Sequence, residues 1–196
     1  MTLPNQLSVL RIILAPVFLY LFMSGDQVLR ELSIPVYLIA VFTDWYDGWH
    51  ARKYGLVSKL GIFIDPLADK ILTSAAFIGF FYLGFMPLWM VIAIVIRDIV
   101  ITFLRSYHEI RGITMKTSFI AKTKTFLQMT YIFIVLILIG FQTYSGNEQL
   151  KSSVQNFLFS DINYLLMLLV TFLTLLTGVT YFFEKNNAVK KLNEIP

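Results

Sequence analysis

Long apolar segments are the feature that most constrains how this chain of 196 residues can fold. Six of them are present, near residues 7–24, 33–52, 62–84, 87–107, 119–143 and 161–183. A helix of about 20 apolar residues crosses the hydrocarbon core of a bilayer, and only helices and closed barrels satisfy the backbone there. Because the segments lack the alternation of barrel strands, we expect an all-α, polytopic membrane protein. It should have six transmembrane helices in one domain over residues 1–196.

Composition agrees with a membrane location. Hydrophobic residues make up 57% of the chain and charged residues only 14%, whereas soluble proteins carry about 25% charged residues. The formal net charge is +4, but the basic residues cluster at the ends of the apolar segments. That placement favours anionic head groups or phosphorylated substrates over nucleic acid. With no cysteine in the chain, disulfides and thiolate zinc sites are excluded.

Lysine and arginine are distributed unevenly between the two ends of the segments. Only Arg30 and Lys151 lie on one side. The other side holds the connections after the second and fourth segments and the C-terminal tail, with Arg52, Lys53, Lys59, Arg105, Arg111, Lys116, Lys122, Lys124, Lys185, Lys190 and Lys191. By the positive-inside rule, we expect both termini and the basic connections to face the cytoplasm, with the protein in the cell membrane.

Four aspartates interrupt the second and third segments. Asp44 and Asp47 lie in the last turns of the second segment, and Asp65 and Asp69 in the first turns of the third. A carboxylate within a bilayer is costly and by default indicates function. Helical spacing places each pair on one face. An antiparallel pair of helices would therefore bring all four carboxylates to a similar depth.

Clustered carboxylates repel one another unless a cation neutralises them. Oxygen ligands suit Mg²⁺ or Mn²⁺, and two such ions are a known device in phosphoryl chemistry. Gly48 and Gly61 leave room beside the carboxylates for a bulky ligand. A simpler interpretation is that the aspartates form interfacial salt bridges with Arg52, Lys53, Lys59 and Lys70. Four carboxylates on two facing helix surfaces favour the metal site.

Together these residues spell D-x2-D-G-x2-A-R-x8-G-x3-D-x3-D over residues 44–69, with Asp44, Asp47, Gly48, Ala51, Arg52, Gly61, Asp65 and Asp69 at the fixed positions. The pattern resembles the full motif of the CDP-alcohol phosphotransferase family. The resemblance implies a six-helix, commonly homodimeric membrane enzyme with two divalent cations, Mg²⁺ or Mn²⁺. It implies that Asp44, Asp47 and Asp65 ligate the metals, and that Asp69 is both ligand and the base that activates the acceptor hydroxyl. The CDP-lipid would be bound by Asp44, Asp47, Gly48, Ala51, Arg52 and Gly61.

Shorter stretches are similar to one subgroup of that family, among them Asn5-Gln6-Leu7-Ser8 with Arg11, Asp65-Pro66-Leu67-Ala68-Asp69-Lys70, Arg97-Asp98 and Lys122-Thr123-Lys124-Thr125. Ala121 and Trp49-His50 depart from the subgroup's usual residues. The likeness implies transfer of the phosphatidyl group of CDP-diacylglycerol to sn-glycerol 3-phosphate. An acceptor that carries a phosphate requires a second anion site, for which the candidates are Arg105, Lys122, Lys124, Arg97 and Arg111. Since neighbours on a helix do not face each other, we expect Arg97 and Asp98 to have separate partners.

Two alternatives remain open. A sibling enzyme could use the same motif with inositol phosphate, serine or phosphatidylglycerol as the acceptor. A cation transporter could also bind ions through buried aspartates, although transporter sites tend to lie near the midplane of repeated halves. These carboxylates lie close to one interface, and the sequence has no visible repeat, which favours an enzyme.

Overall fold

The computed structural model describes residues 3–54, 59–110 and 119–193. These residues form seven helices and, within those ranges, no strand: α1 (Leu3–Phe22), α2 (Gln27–Tyr54), α3 (Lys59–Tyr82), α4 (Leu88–Ile110), α5 (Phe119–Tyr144), α6 (Glu148–Leu158) and α7 (Asp161–Asn193). The all-α fold is confirmed. Six of the helices, α1 to α5 and α7, overlap the six predicted segments, although α2 begins six residues earlier and α7 ends ten residues later than predicted.

Three of the described helices are long and apolar enough to cross a membrane. They contain the spans Asn5–Phe22 in α1, Phe119–Tyr144 in α5 and Asp161–Tyr181 in α7. Helices α2, α3 and α4 are of comparable length, at 28, 24 and 23 residues, but each carries charged residues along its apolar run. The chain is therefore a membrane protein, and six transmembrane helices in one domain stay a prediction.

Helix α1 lies between α2 and α3. It packs along both of them, whereas α2 and α3 touch each other over only a short stretch of their described residues. Phe18 of α1 contacts Tyr37 of α2, with ring centroids 4.9 Å apart, and Phe22 contacts Phe80 of α3 at 6.3 Å. Within the described residues, α2 and α3 are therefore joined mainly through α1.

Helix α6 was not predicted. Its 11 residues are too few to cross a bilayer. Asn147 caps the helix, because its side chain accepts hydrogen bonds from the backbone N–H groups of Gln149 and Leu150. Val154 and Leu158, one turn apart, are the buried residues of the helix. It is a short amphipathic helix that packs against α5.

Candidate functional site

One face of α1 carries buried polar residues near its N-terminal end. Ser8 and Arg11 are both fully buried and lie one turn apart. The Ser8 hydroxyl donates to Asp65 Oδ1 at 2.5 Å. Arg11 NH1 lies 2.8 Å from Asp44 Oδ1 and 2.5 Å from Asp69 Oδ1. Helix α1 thus gathers carboxylates from α2 and α3 around one guanidinium group.

Three of the four motif aspartates, Asp44, Asp65 and Asp69, are described with their side chains. Asp44 and Asp69 share Arg11 NH1 through their Oδ1 atoms. Asp65 lies one turn before Asp69 on α3. Among the other CDP-lipid candidates, Gly61 is buried near the start of α3. For Asp47, Gly48, Ala51 and Arg52, only the helical backbone is described.

The two carboxylates that share Arg11 are accessible from outside the bundle. The side chains of Asp44 and Asp69 are 47% and 34% exposed, whereas the Arg11 side chain is 0% exposed. The guanidinium therefore lies beneath the carboxylates and offsets one of their two negative charges from the interior. A ligand can approach the outer side of the acidic pair without disturbing the packing of α1.

This donor set fits a divalent cation. Asp44 and Asp69 already converge on a positively charged group, Arg11, and their oxygen atoms are the ligands that Mg²⁺ and Mn²⁺ prefer. Among the described residues, no group of three or more carboxylate, imidazole or thiol side chains surrounds one point. The described side chains supply two converging carboxylates, Asp44 and Asp69, and Asp65 lies one turn from Asp69. The side chain of Asp47 is not among those described.

A second charged cluster surrounds Asp98 of α4. Lys124 Nζ donates to both Asp98 carboxylate oxygens, at 2.6 and 2.8 Å, and Gln128 Nε2 donates at 3.2 Å. Arg97 NH1 lies 2.9 Å from the same carboxylate and Lys70 Nζ 3.6 Å from it. Asp98 and Lys124 are each only 2% exposed. Three cations share one buried carboxylate, so this cluster carries excess positive charge.

The Asp98 cluster bridges helices that do not pack directly. Within the described residues, the backbones of α4 and α5 do not contact each other, and the long side chains of Lys124 and Gln128 cross the gap between them. Arg97 reaches in the other direction, where NH2 donates to Thr177 Oγ1 of α7 at 2.8 Å. Its stem packs on Gly178, whose missing Cβ would lie 3.1 Å from Arg97 Cγ. The cluster therefore ties α3, α4, α5 and α7 together at one level.

The prediction that Arg97 and Asp98 have separate partners is confirmed, since Asp98 binds Lys124 and Arg97 binds Thr177, but the two residues also form an unexpected ion pair with each other. Although successive residues point in different directions from a helix axis, the long arginine side chain brings NH1 within 2.9 Å of Asp98 Oδ1. Arg97 also has a separate partner in Thr177. Both interactions hold the guanidinium inside the bundle.

The five acceptor-site candidates fall into different environments. Lys124 is buried against Asp98, and Arg97 is bound to the same carboxylate. Arg105 and Lys122 are exposed. Arg111 lies outside the described residues. The structure thus brings Arg97 and Lys124 together and leaves Arg105 and Lys122 on the surface.

Ser8 and Arg11 were not predicted as site residues, although they lie in a stretch that carries the family likeness. The sequence does contain a sign of this role, because Arg11 interrupts an apolar segment where an unpaired cation would be costly.

The alternative interpretation, in which the aspartates form salt bridges with nearby basic residues, is not supported for Lys70. Lys70 forms its described ion pair with Asp98, while Arg52, Lys53 and Lys59 have side chains outside the described residues.

Comparison with known proteins gives consistent matches. A family model described as CDP-alcohol phosphatidyltransferase matches residues 1–176. A protein of Bacillus subtilis (strain 168), named CDP-diacylglycerol–glycerol-3-phosphate 3-phosphatidyltransferase, is 33% identical over 203 aligned residues, covering 97% of this chain and 98% of the relative. A protein of the same name from Rickettsia bellii is 32% identical over 181 residues, covering 92% and 93%. A Mycobacterium tuberculosis protein named probable phosphatidylglycerophosphate synthase is 38% identical over 133 residues, covering 66% and 63%.

Proposed function

Because this chain belongs to the CDP-alcohol phosphatidyltransferase family, we propose that it transfers the phosphatidyl group of CDP-diacylglycerol to sn-glycerol 3-phosphate. The products are phosphatidylglycerophosphate and CMP. The observation that carries this proposal is the convergence of Asp44 and Asp69 on Arg11, in a chain that matches relatives named for this reaction over almost their whole length. The family generally depends on a divalent metal.

In this proposal the four aspartates would hold the diphosphate of the CDP-lipid indirectly, through divalent cations. Asp44, Asp47 and Asp65 hold two divalent cations, Mg²⁺ or Mn²⁺, with Asp69 as a further ligand. When bound, these cations offset the negative charge that develops on the departing CMP. The exposure of Asp44 and Asp69 above a buried Arg11 supports this placement. The cytidine and diphosphate would also be contacted by Gly48, Ala51, Arg52 and Gly61.

Asp69 is the proposed general base. It takes the proton from the 1-hydroxyl of glycerol 3-phosphate, and that oxygen attacks the phosphorus that bears the diacylglycerol. A new P–O bond forms as the bond to CMP breaks, and CMP leaves with the electron pair. Arg11 NH1, 2.5 Å from Asp69 Oδ1, fixes the direction in which the carboxylate points. Catalysis then rests mainly on positioning.

The phosphate of the acceptor needs positive charge close to this base. Lys70 follows Asp69 in the sequence and joins the Asp98 cluster, where three cations share one carboxylate. Excess positive charge in apolar surroundings is costly unless an anion compensates it. We therefore assign the acceptor phosphate to this side of the site, with the contributing set Arg105, Lys122, Lys124, Arg97 and Arg111.

The proposed setting is the plasma membrane, with α1 to α5 and α7 as six transmembrane helices and the protein as a homodimer. Three of these helices are apolar enough to cross a bilayer. The lysine and arginine distribution supports cytoplasmic termini and a cytoplasmic position for the aspartates. In this arrangement the acyl chains stay in lipid, while glycerol 3-phosphate arrives from the cytoplasm.

An acceptor-resolved assay of CMP release tests the function. Purified protein with CDP-diacylglycerol and Mg²⁺ should release CMP with glycerol 3-phosphate, and not with inositol phosphate, serine or phosphatidylglycerol. EDTA should abolish the release. CMP release with one of the other acceptors would identify a sibling enzyme. Metal-ion flux into proteoliposomes without any CMP release would identify a transporter.

Replacing the proposed base should separate chemistry from binding. Asp69→Asn keeps the shape of the side chain but cannot take the proton, so kcat should fall by about 100-fold or more while binding of CDP-diacylglycerol is largely retained. Asp161→Asn, at the exposed start of α7, is the matched control and should keep its activity. Full turnover by Asp69→Asn would refute the base assignment.

A further inference from the structure

A cavity of about 410 Å³ opens at the end of the bundle opposite the aspartates. It is formed by the start of α2, the turn between α3 and α4, the end of α5, and α6. Arg30, which lines it, and Asp44 lie on the same helix, about four turns or roughly 21 Å apart. The cavity is therefore separate from the proposed catalytic site. Its volume lies in the range of sites that bind small molecules.

The lining of this cavity is positively charged. Among the described residues, the lining includes Arg30 and Lys151 and no carboxylate. Lys151 is paired with Glu148 at 2.9 Å. Arg30 is only partly exposed, and its described hydrogen bond runs from NH2 to the Ser24 carbonyl oxygen at 2.9 Å. Among the described residues, no ion pair neutralises Arg30, so its guanidinium brings an uncompensated charge to the cavity.

The rest of the lining combines amides with an apolar base. Gln142 and Gln155 add neutral hydrogen-bonding side chains. The buried part of the lining is apolar, with Phe85 and Leu158 at 6% and 4% exposure. The Phe85 ring meets the Phe159 ring edge to face at 6.4 Å, which closes this side of the cavity. One end of a ligand would meet a cation and amides, and the other end hydrocarbon.

We infer that this cavity binds the phosphate ester of a phospholipid, with the head group at Arg30 and the glutamine amides and the start of the acyl chains against the apolar base. A guanidinium group donates two parallel hydrogen bonds to phosphate oxygens, and the glutamine amides can bind ester or glycerol oxygens beside it. The amphipathic helix α6, with Val154 and Leu158 buried, forms one wall. Such a helix fits the head-group level of a bilayer, where a phospholipid is the abundant source of this chemistry.

Binding to the full-length protein in detergent with EDTA tests this inference, because EDTA removes metal-dependent binding at the aspartates. The probes are dioctanoylphosphatidylglycerol, inorganic phosphate and dioctanoylglycerol, titrated by calorimetry. We expect the phospholipid to bind and dioctanoylglycerol, which lacks the phosphate, to bind at least about tenfold more weakly. Competition by inorganic phosphate would identify free phosphate as a second source of the same anion. Equal binding of the two lipids would overturn the inference.

Two variants locate the binding in this cavity. Arg30→Gln removes the charge and should weaken phospholipid binding about tenfold or more. Gly25→Leu adds a side chain to a glycine that lines the cavity and has open space around it, so it should block binding without a change of charge. Gly146→Leu is the matched control, since Gly146 also has open space but does not line the cavity. Unchanged binding in both Arg30→Gln and Gly25→Leu would also overturn the inference.

Discussion

Arg11 and Asp98 are buried charged residues that each form ion pairs with more than one residue of the opposite charge. Arg11 is fully buried and contacts two carboxylates that are partly exposed, so the cost of its desolvation is offset from two helices at once. Asp98 is buried among Lys70, Arg97 and Lys124. Removing one member of a buried charge pair costs about 3–5 kcal/mol, because the remaining charge is left uncompensated. Both residues should therefore affect stability as well as activity.

Asp98→Asn should destabilise the protein by about 3–5 kcal/mol, since Lys124 and Arg97 would lose the carboxylate that neutralises them. Thermal unfolding in detergent measures this change. The double variant Asp98→Asn/Lys124→Gln should recover part of the loss, because the buried cation is removed with its partner. Asp161→Asn should change the unfolding temperature little. A single variant as stable as wild type would contradict the role given to Asp98.

At the scale of the helices, the position of α1 decides the geometry of the site. Because α1 lies between α2 and α3, it can present Ser8 and Arg11 to aspartates of both helices. The aromatic contacts of Phe18 and Phe22 fix α1 along the same two helices. Substitutions that alter this packing should therefore shift the positions of the aspartates, even where no polar residue is replaced.

Gly79→Ala tests how closely α1 and α3 approach. A Cβ at Gly79 would lie 2.6 Å from Cδ1 of the buried Phe22 ring, so the ring or the helix must move, at a cost of about 1–3 kcal/mol. The unfolding temperature should fall, and Phe22→Leu in the same chain should restore part of it. Gly146→Ala, with open space at its Cβ position, is the control. If Gly79→Ala unfolds at the wild-type temperature, the close contact between the helices is incorrect.

Asn147→Ala tests whether α6 is held by its cap. The Asn147 side chain accepts hydrogen bonds from Gln149 N at 3.0 Å and Leu150 N at 3.4 Å, and losing such a cap costs about 1 kcal/mol. Amide hydrogen exchange across α6 should become faster, while exchange in α5 stays unchanged. Asn156→Ala, exposed on the same helix, should leave α6 as protected as in wild type. Equal exchange in the two variants would mean that the cap does not hold α6.

For the whole molecule, sequence patterns predict the features that depend on local composition. The six long helices follow from the length of their apolar runs, and the common face of Asp65 and Asp69 follows from their spacing of four residues. Which helices pack against each other depends on contacts between residues far apart in the sequence. The position of α1 between α2 and α3, and the ion pairs of Arg11 with Asp44 and Asp69, could therefore not be predicted. The bond between Arg97 and Asp98 depends on the reach of a long side chain rather than on helical spacing.

Mn²⁺ binding tests the central claim most directly, namely that aspartates of α2 and α3 form one metal site. Electron paramagnetic resonance of free Mn²⁺, recorded on purified protein with CDP-diacylglycerol, gives affinity and stoichiometry without any turnover. We predict about two bound ions in wild type, and affinity about tenfold or more weaker in both Asp44→Asn and Asp65→Asn, with Asp161→Asn like wild type. Wild-type Mn²⁺ affinity and stoichiometry in both Asp44→Asn and Asp65→Asn would contradict the shared site.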